Sequence, residues 1–141
     1  KEVIMQTFLP YPSFAESAAC LDSKRLGKQR VEALQIWNIV SGKRSTGGWI
    51  NHPAVRMWRG HPDALALYTN IMITEWIKRG YNNTMELLKP IQLPEFTLPS
   101  WLGNADLHAS HRSNLLRKDS EFYSQYNWSE PDDLPYVWSV E

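Results

Sequence analysis

The spacing of apolar and polar residues along the chain predicts helices. Residues 13–16 (SFAE) have the spacing of a capping box, which predicts a short helix after Ser13. Asp22 or Ser23 can cap a longer second helix that ends at about Ser41. At about 100° per residue, its apolar side chains share one face and its polar side chains share the other. The predicted apolar face is Leu26, Ala33, Leu34, Trp37 and Val40, and the predicted polar face is Arg25, Lys28, Gln29, Glu32 and Gln35.

The remainder of the chain continues this helical pattern. His52 and Pro53 open a short helical stretch, because proline suits the first turn of a helix. A longer helix is predicted over residues 61–79. Apolar side chains surround it on nearly every side, so we expect it to be the buried central helix. Residues 106–118 are also predicted to be helical, and a last turn or short helix containing Tyr126 follows them.

Prolines and an aromatic tail complete the predicted architecture. Pro90, Pro94 and Pro99 are expected to break the chain into a long extended surface connection, not a domain boundary. The tail, residues 128–138, is expected to pack its aromatic side chains over the body of the protein. Because no internal repeat or strand-like alternation is present, the chain is predicted to form one compact all-α domain over residues 1–141.

The composition limits the class of protein. Seven Trp, six Tyr and four Phe supply enough apolar area to exclude a disordered chain. No apolar run approaches the ~20 residues of a membrane span, and none resembles a signal-peptide core, so we expect no membrane partner. Cys20 is the single cysteine and is expected in the core, which favours a reducing, cytoplasmic location. A monomer is the expected oligomeric state.

The charges are unevenly distributed, although fifteen basic and fifteen acidic side chains cancel formally. Between Asp22 and Arg59, eight basic side chains accompany only two acidic ones. A second basic group lies near His108 and His111, and the chain after it is acidic. Contacts to nucleic-acid phosphates require such a clustered basic face, and a solvated helix face is the alternative. The basic residues are Lys24, Arg25, Lys28, Arg30, Lys43, Arg44, Arg56 and Arg59 in the first group and Arg112, Arg117 and Lys118 in the second.

Glu32 is the candidate acid or base. It lies on the predicted polar face of its helix, seven residues after Arg25 and four after Lys28. One interpretation is ordinary helix pairing with Lys28, which contributes only a few tenths of a kcal/mol. The other is an acid/base group placed where an anionic substrate docks, balanced by cations that also bind phosphate. The pattern alone leaves both interpretations open.

Two further features offer chemistry. His108 and His111 share a helical face close to Asp106, which makes a metal site conceivable. Their spacing is not that of a zincin and no cysteine cluster accompanies them, so we expect no metal and an interfacial or phosphate-contacting role. Trp49 lies beside two glycines in a basic loop, where it either stacks on a base or anchors the loop.

Five spaced blocks of sequence follow one another in a distinctive order. They are residues 5–9 (MQTFL), 21–32 (LDSKRLGKQRVE), 49–53 (WINHP), Glu75 with 78–82 (KRGYN), and 111–119 (HRSNLLRKD) before Phe122 and Tyr123. Together they resemble the pyrimidine-dimer DNA glycosylase family, the phage-type endonuclease V proteins and their bacterial relatives. The resemblance extends over about residues 5–126.

The resemblance implies a specific chemistry. Members are small, all-α, metal-free enzymes that bind ultraviolet-damaged duplex DNA, kink it and cleave the N-glycosidic bond of a cyclobutane dimer. An N-terminal α-amine attacks C1′, forms an imine and then cleaves the backbone by β-elimination, assisted by a glutamate on the first long helix. An ungapped alignment places Glu32 at that glutamate. Arg25, which is grouped with Glu32, Met5 and Gln6 as a catalytic candidate, falls where the family carries a DNA-contacting His or Arg. His52 falls in the family's Gly/Asn-His segment.

The implied partner is double-stranded DNA with a damaged base, and no cofactor is implied. Basic side chains would bind the phosphates and give affinity without sequence preference. The predicted DNA-binding residues are Lys24, Lys28, Arg30, Trp49, His52, Arg56, His111, Arg112, Arg117 and Lys118.

The nucleophile and the lesion stay open. In the family the nucleophile follows a removed Met, but Gln6 is large and disfavours removal of Met5, so we expect the amine on Met5, on Gln6 or on whichever residue begins the protein. Val31 also stands where the best-known members carry arginine. The alternatives are a glycosylase for another modified base, a non-catalytic module that binds damaged DNA, and a metal-dependent hydrolase using His52, His108 and His111.

Overall fold

The computed structural model describes residues 6–43, 51–89 and 98–138. Every regular element in these ranges is a helix, which confirms the all-α prediction. None of the helices in the described ranges is long and apolar enough to cross a membrane. In chain order the elements are α1 (Phe14–Cys20), α2 (Ser23–Val40), α3 (Pro53–Arg56), α4 (Pro62–Lys78), α5 (Ala105–Lys118), α6 (Ser120–Tyr123) and a 3₁₀ turn (Ser124–Tyr126).

Capping side chains set the helix ends close to their predicted positions. Ser13 caps α1, and its hydroxyl accepts a hydrogen bond from the Glu16 N–H at 3.1 Å. Asp22 caps α2 in the same way. α5 begins one residue earlier than predicted, because the Asn104 side chain accepts from the Leu107 N–H at 3.0 Å.

α4 packs against α1 and α2, but it is less central than predicted. Its first three turns, up to Ile73, contribute many residues to the core. Leu67, Thr74 and Ile77 recur at helical spacing and are exposed, with Leu67 at 42% and Ile77 at 52%. The prediction of burial on nearly every side is therefore wrong, because one face of α4 lies at the surface.

A close contact joins α2 to α4. Gly27 lies against the Trp76 ring, and a Cβ atom at Gly27 would approach that ring to 2.9 Å. Two helices can come this near only where one side chain is absent. Glycine at this position therefore fixes how closely α2 approaches the last turns of α4.

The face assignment of α2 is wrong for two polar residues. Gln29 and Glu32 are buried, at 1% and 8% exposure, and Ile36 is fully buried. The reason is the N-terminal segment, residues 6–9, which lies against α2 and offers backbone groups as partners. Polar side chains can be buried where such partners satisfy them.

The tail follows α5 in the opposite direction. The Ser113 hydroxyl accepts from the Leu134 N–H at 2.9 Å, and the Ser110 hydroxyl accepts from the Val137 N–H at 3.0 Å. This arrangement confirms that the tail packs over the body. Its stacked aromatic contacts are Trp128 with Tyr123, Trp128 with Tyr126, and Tyr136 with Trp138.

Several predictions concern residues outside the described ranges. They are the nucleophile candidate Met5, the loop residues Arg44 and Trp49, and Pro90 and Pro94 of the extended connection. For these residues the sequence-based expectations stay predictions.

Candidate active site

The Glu32 carboxylate lies where α2 meets the N-terminal segment. Gln29, one turn earlier on α2, donates from Nε2 to Glu32 Oε1 at 3.1 Å. The backbone N–H of Gln6 donates to the same carboxylate. Two donors from different parts of the chain therefore hold this carboxylate at the edge of the core.

Gln29 also fixes the N-terminal segment. Its Nε2 donates to Gln6 O at 3.0 Å, and its Oε1 accepts from the Tyr68 hydroxyl at 2.6 Å and from the Phe8 N–H at 3.3 Å. The Tyr68 hydroxyl also lies 2.9 Å from Phe8 O. The Gln6 nitrogen, through which the preceding residue is joined to the chain, is thereby held facing Glu32.

The environment of Glu32 favours its protonated form. Burial raises the pKa of Glu32 above its usual value, and this is the largest effect. Lys28, the Gln6 N–H, Gln29 and Lys118 act in the opposite direction. A carboxyl group balanced in this way can hold and release a proton closer to neutral pH than an ordinary glutamate does.

Basic side chains from α2 and α5 meet around Glu32. The pKa of Lys118 is lowered most by partial burial. The positive charges of Arg25, Arg117 and Lys28 lower it further, and the charge of Glu32 raises it. Such effects require proximity. Part of each basic group is thus brought to one site, as a phosphate-binding face requires. These residues are Arg25 and Lys28 from the first group and Arg117 and Lys118 from the second.

Lys24 and Arg25, at the start of α2, differ in how they are engaged. Lys24 is exposed. The Arg25 guanidinium pairs with Asp22 at 3.3 Å, within the cap of the same helix. Asp22 also accepts a hydrogen bond from the Tyr123 hydroxyl. Arg25 is therefore positioned by the protein before any ligand arrives.

Two predicted phosphate contacts are engaged inside the protein instead. The Arg30 guanidinium lies 4.4 Å from the centroid of the Trp76 ring and donates to Asn83 Oδ1 at 2.6 Å. The Arg112 guanidinium donates to Pro10 O at 2.7 Å and pairs with Glu130 at 2.7 Å. A phosphate would compete with these contacts, so DNA binding by Arg30 and by Arg112 stays a prediction.

The family comparison agrees with this geometry. The family described as pyrimidine dimer DNA glycosylase matches residues 5–89, which is more than half of the chain. The chain belongs to this family. No curated protein and no solved structure gives a significant match.

Membership confirms the resemblance found in the sequence and makes the protein a DNA repair glycosylase. The matched part of this glycosylase contains Gln6, Gln29, Glu32 and Tyr68. It ends before α5, so Lys118 and the other α5 cations come from the part of the chain beyond the match.

The two histidines of α5 support the fold of this glycosylase. His111 is fully buried, and its Nδ1 accepts from the Leu9 N–H at 2.8 Å. His108 Nε2 accepts from the Gly103 N–H at 2.9 Å, so its Nδ1 donates to Leu9 O, 2.7 Å away. Burial lowers the pKa of His111 to about 3, which keeps it neutral. The prediction that His111 contacts DNA is therefore wrong.

The same contacts argue against the metal-dependent hydrolase. A histidine binds a metal through a ring-nitrogen lone pair, and His108 Nε2 and His111 Nδ1 use theirs to accept from backbone N–H groups. Within the described ranges, no three His, Cys, Asp or Glu side chains are grouped to hold a metal ion.

His52 is placed at the start of α3. Its Nδ1 accepts from the Ala54 N–H at 3.0 Å and caps the helix. Its ring meets Trp138 edge to face, with centroids 6.5 Å apart. Burial lowers the pKa of His52. A contact between His52 and DNA stays a prediction.

Sequence reasoning missed three residues of the site. Gln29 was assigned to the polar face of α2, and Tyr68 was one of the side chains counted as apolar around the helix predicted over residues 61–79. The burial of Tyr68 in an apolar helix was a usable signal, because a buried hydroxyl needs a partner. Tyr136 of the tail lies close enough for Arg117, Arg25 and Glu32 to act on its pKa, which burial raises to about 12.

Proposed function

We propose that this DNA repair glycosylase excises a cyclobutane pyrimidine dimer from duplex DNA through an imine, and that it then cleaves the abasic strand as a lyase. The observation that carries the proposal is the Gln6 N–H facing the Glu32 carboxylate. If Gln6 begins the mature chain, its α-amine stands at this carboxylate. If Met5 begins it, the amine is one residue away.

The proposed reaction uses the amine as nucleophile and Glu32 as proton carrier. The amine nitrogen bonds to C1′ while the N-glycosidic bond breaks, and the base leaves with the bonding electron pair. Opening of the sugar ring gives a protonated imine. Loss of a C2′ proton then breaks the C3′–O bond, and water hydrolyses the imine to restore the amine.

Glu32 is suited to this task by its surroundings. It can take the proton that the amine loses and return it to a leaving group. Its negative charge also stabilises the positive charge that develops at the sugar. Burial raises the pKa of Glu32, which suits the group to carry a proton. Burial also strengthens the electrostatic interactions of the carboxylate when it is ionised.

The basic side chains around Glu32 are proposed to hold the damaged strand. Lys24, Lys28, Arg117 and Lys118 are exposed. Phosphate contacts of this kind position a duplex without reading its sequence. Selectivity for damage would then come from the duplex, because a distorted step costs less to open than an intact one.

The test uses a duplex with one cyclobutane thymine dimer and a matched duplex with one abasic site. The full chain and a chain starting at Met5 are each incubated with both duplexes in chelator and borohydride. We expect dimer-dependent cleavage and a covalent adduct, with a mass that places the adduct on the N-terminal peptide. An adduct on a peptide containing Lys118 would overturn the N-terminal nucleophile.

Other outcomes select the alternatives. Trapping on the abasic site alone would retain the lyase chemistry and indicate another modified base. DNA binding without cleavage or adduct would indicate a module that binds damaged DNA without catalysis.

A further inference from the structure

A second polar site lies at the corner where α3 leads into α4. A cavity of about 510 Å³ opens there, within the size range of ligand sites. None of its lining residues in the described ranges is acidic. The polar lining residues are Asn51, Arg56, Arg59, His61 and Ser100, and Trp101 supplies part of the apolar wall.

The backbone and two tryptophans form this corner before any ligand is bound. Gly60 has a φ of +83°, a backbone conformation that residues other than glycine rarely adopt. It turns the chain from α3 toward His61. Trp101 packs edge to face on Trp58 with centroids 5.1 Å apart. Its Nε1 donates to Met57 O at 2.7 Å. The wall of the cavity is therefore anchored in the core.

One polar atom of a lining side chain lacks a partner. His61 Nδ1 is buried and makes no hydrogen bond to any described residue. His61 also precedes α4 without capping it through its side chain. This nitrogen is shielded from the cavity, so contacts to a ligand must come from the other polar groups that line it, chiefly the Arg56 and Arg59 guanidiniums.

We propose that this cavity binds a phosphate group of the DNA backbone at a position other than the lesion. Guanidinium groups bind phosphate oxygens through paired N–H donors, and imidazole, amide and hydroxyl groups add single hydrogen bonds. The cavity is larger than one phosphate, so it accommodates the phosphate with part of the adjoining sugar. The identification with DNA rests on the proposed function, whereas the affinity for phosphate follows from the lining residues themselves.

The first experiment tests the phosphate site without DNA. Inorganic phosphate is titrated against the full chain at constant ionic strength, with chloride as the reference, and the His61 imidazole signals are followed by NMR. We expect a saturable shift in the wild type that is lost in Arg56→Gln. Lys78→Gln, an exposed change at the opposite end of α4, should match the wild type. No saturable shift in the wild type would overturn the proposal.

The second experiment distinguishes the sources of phosphate. Binding of undamaged duplexes, with and without 5′-terminal phosphates, is measured over a range of salt concentrations. A backbone contact predicts that Arg56→Gln lowers the salt-dependence slope by about 0.9 for both duplexes. A loss confined to the 5′-phosphorylated duplex, or an unchanged slope, would overturn the backbone assignment.

The two proposals can fail separately. If excision fails while phosphate still shifts the His61 signals, the proposed chemistry is wrong and the phosphate site is retained. If excision is normal but phosphate shifts no His61 signal, the phosphate site is wrong and the proposed chemistry is retained.

Discussion

Gln29 donates a hydrogen bond to Glu32 across 3.1 Å, and both side chains are buried. The same carboxamide binds Gln6 O and accepts from the Tyr68 hydroxyl. The candidate catalytic carboxylate and the N-terminal segment are thus parts of one network. Breaking any bond in such a network leaves another buried polar atom unpaired, which is costly. Helices α2 and α4 therefore position the site together.

Replacing Glu32 by Gln should preserve DNA binding and remove most of the chemistry. The amide has nearly the same shape and can still accept from Gln29, but it cannot carry a proton between the amine and the leaving group. We expect single-turnover excision of the dimer to slow by about 10²–10⁴-fold. Glu121→Gln, a change at an exposed acid, is the control. Normal excision by Glu32→Gln would show that another group does this work.

Replacing Tyr68 by Phe should weaken both the fold and the site. The ring stays in place, but Gln29 Oε1 and Phe8 O lose their contact with the hydroxyl. We expect the free energy of unfolding to fall by about 1–3 kcal/mol, measured by urea denaturation. Excision should slow while DNA affinity is retained. Tyr81→Phe, which removes an exposed hydroxyl bonded to Ser23, should have a much smaller effect on both quantities.

The helices were predictable because their signals are local. Capping residues and turn-forming glycines lie within a few positions of the helix ends, so α2 and α4 agree with prediction to within about two residues. The burial of Gln29 and Glu32 was not predictable in this way. Helical periodicity assigns faces by polarity, whereas these residues are satisfied by residues 6–8, about twenty positions away.

The roles of the basic residues were predictable only in part. Composition and spacing identified the cationic groups, and the fold brings Lys28 and Lys118 together near Glu32. Arg30 and Arg112 belong to the same basic groups, and nothing in the sequence distinguishes their roles from those of Lys28 and Lys118. Arg30 is bound by Asn83 and Arg112 by Glu130. The members of each pair are distant along the chain and meet only when the protein folds.

Acid should destabilise the protein through His111. Burial, and then His108, lower the pKa of His111 from 6.5 to about 3. The unfolded chain therefore binds the proton more readily, so this contribution to stability is complete above pH 6.5 and is lost as the pH falls toward 3. We expect the free energy of unfolding to decrease by up to about 1.4 kcal/mol per pH unit in this window.

A non-titrating variant isolates this effect. Asn at position 111 keeps a carbonyl that can accept from the Leu9 N–H, so His111→Asn should unfold with a weaker pH dependence in urea. The comparison is made between pH 6.5 and 5, above the usual glutamate pKa of 4.5. Glu32 acts in the opposite sense, because its raised pKa stabilises the fold at low pH, and it is common to both proteins. Equal slopes would exclude His111 as the titrating group.

Lys118 and Arg112, six residues apart on α5, should respond to neutralisation in opposite ways. Lys118 is exposed beside Glu32 and its charge is repelled by Arg25, Arg117 and Lys28. Lys118→Gln should therefore leave stability unchanged or raise it slightly. Loss of the Lys118 charge should weaken duplex binding and lower the salt-dependence slope by about 0.9, as expected for one phosphate contact.

Arg112→Gln should instead lower the free energy of unfolding by about 1–3 kcal/mol, because Pro10 O and the Glu130 carboxylate lose a charged partner. The salt dependence of duplex binding should stay that of the wild type. Both variants are measured by urea denaturation and by duplex titration over a range of salt concentrations. A lower slope for Arg112→Gln with normal stability would mean that this guanidinium leaves Glu130 to bind DNA. In that case the acidic tail and the duplex would compete for the same cation.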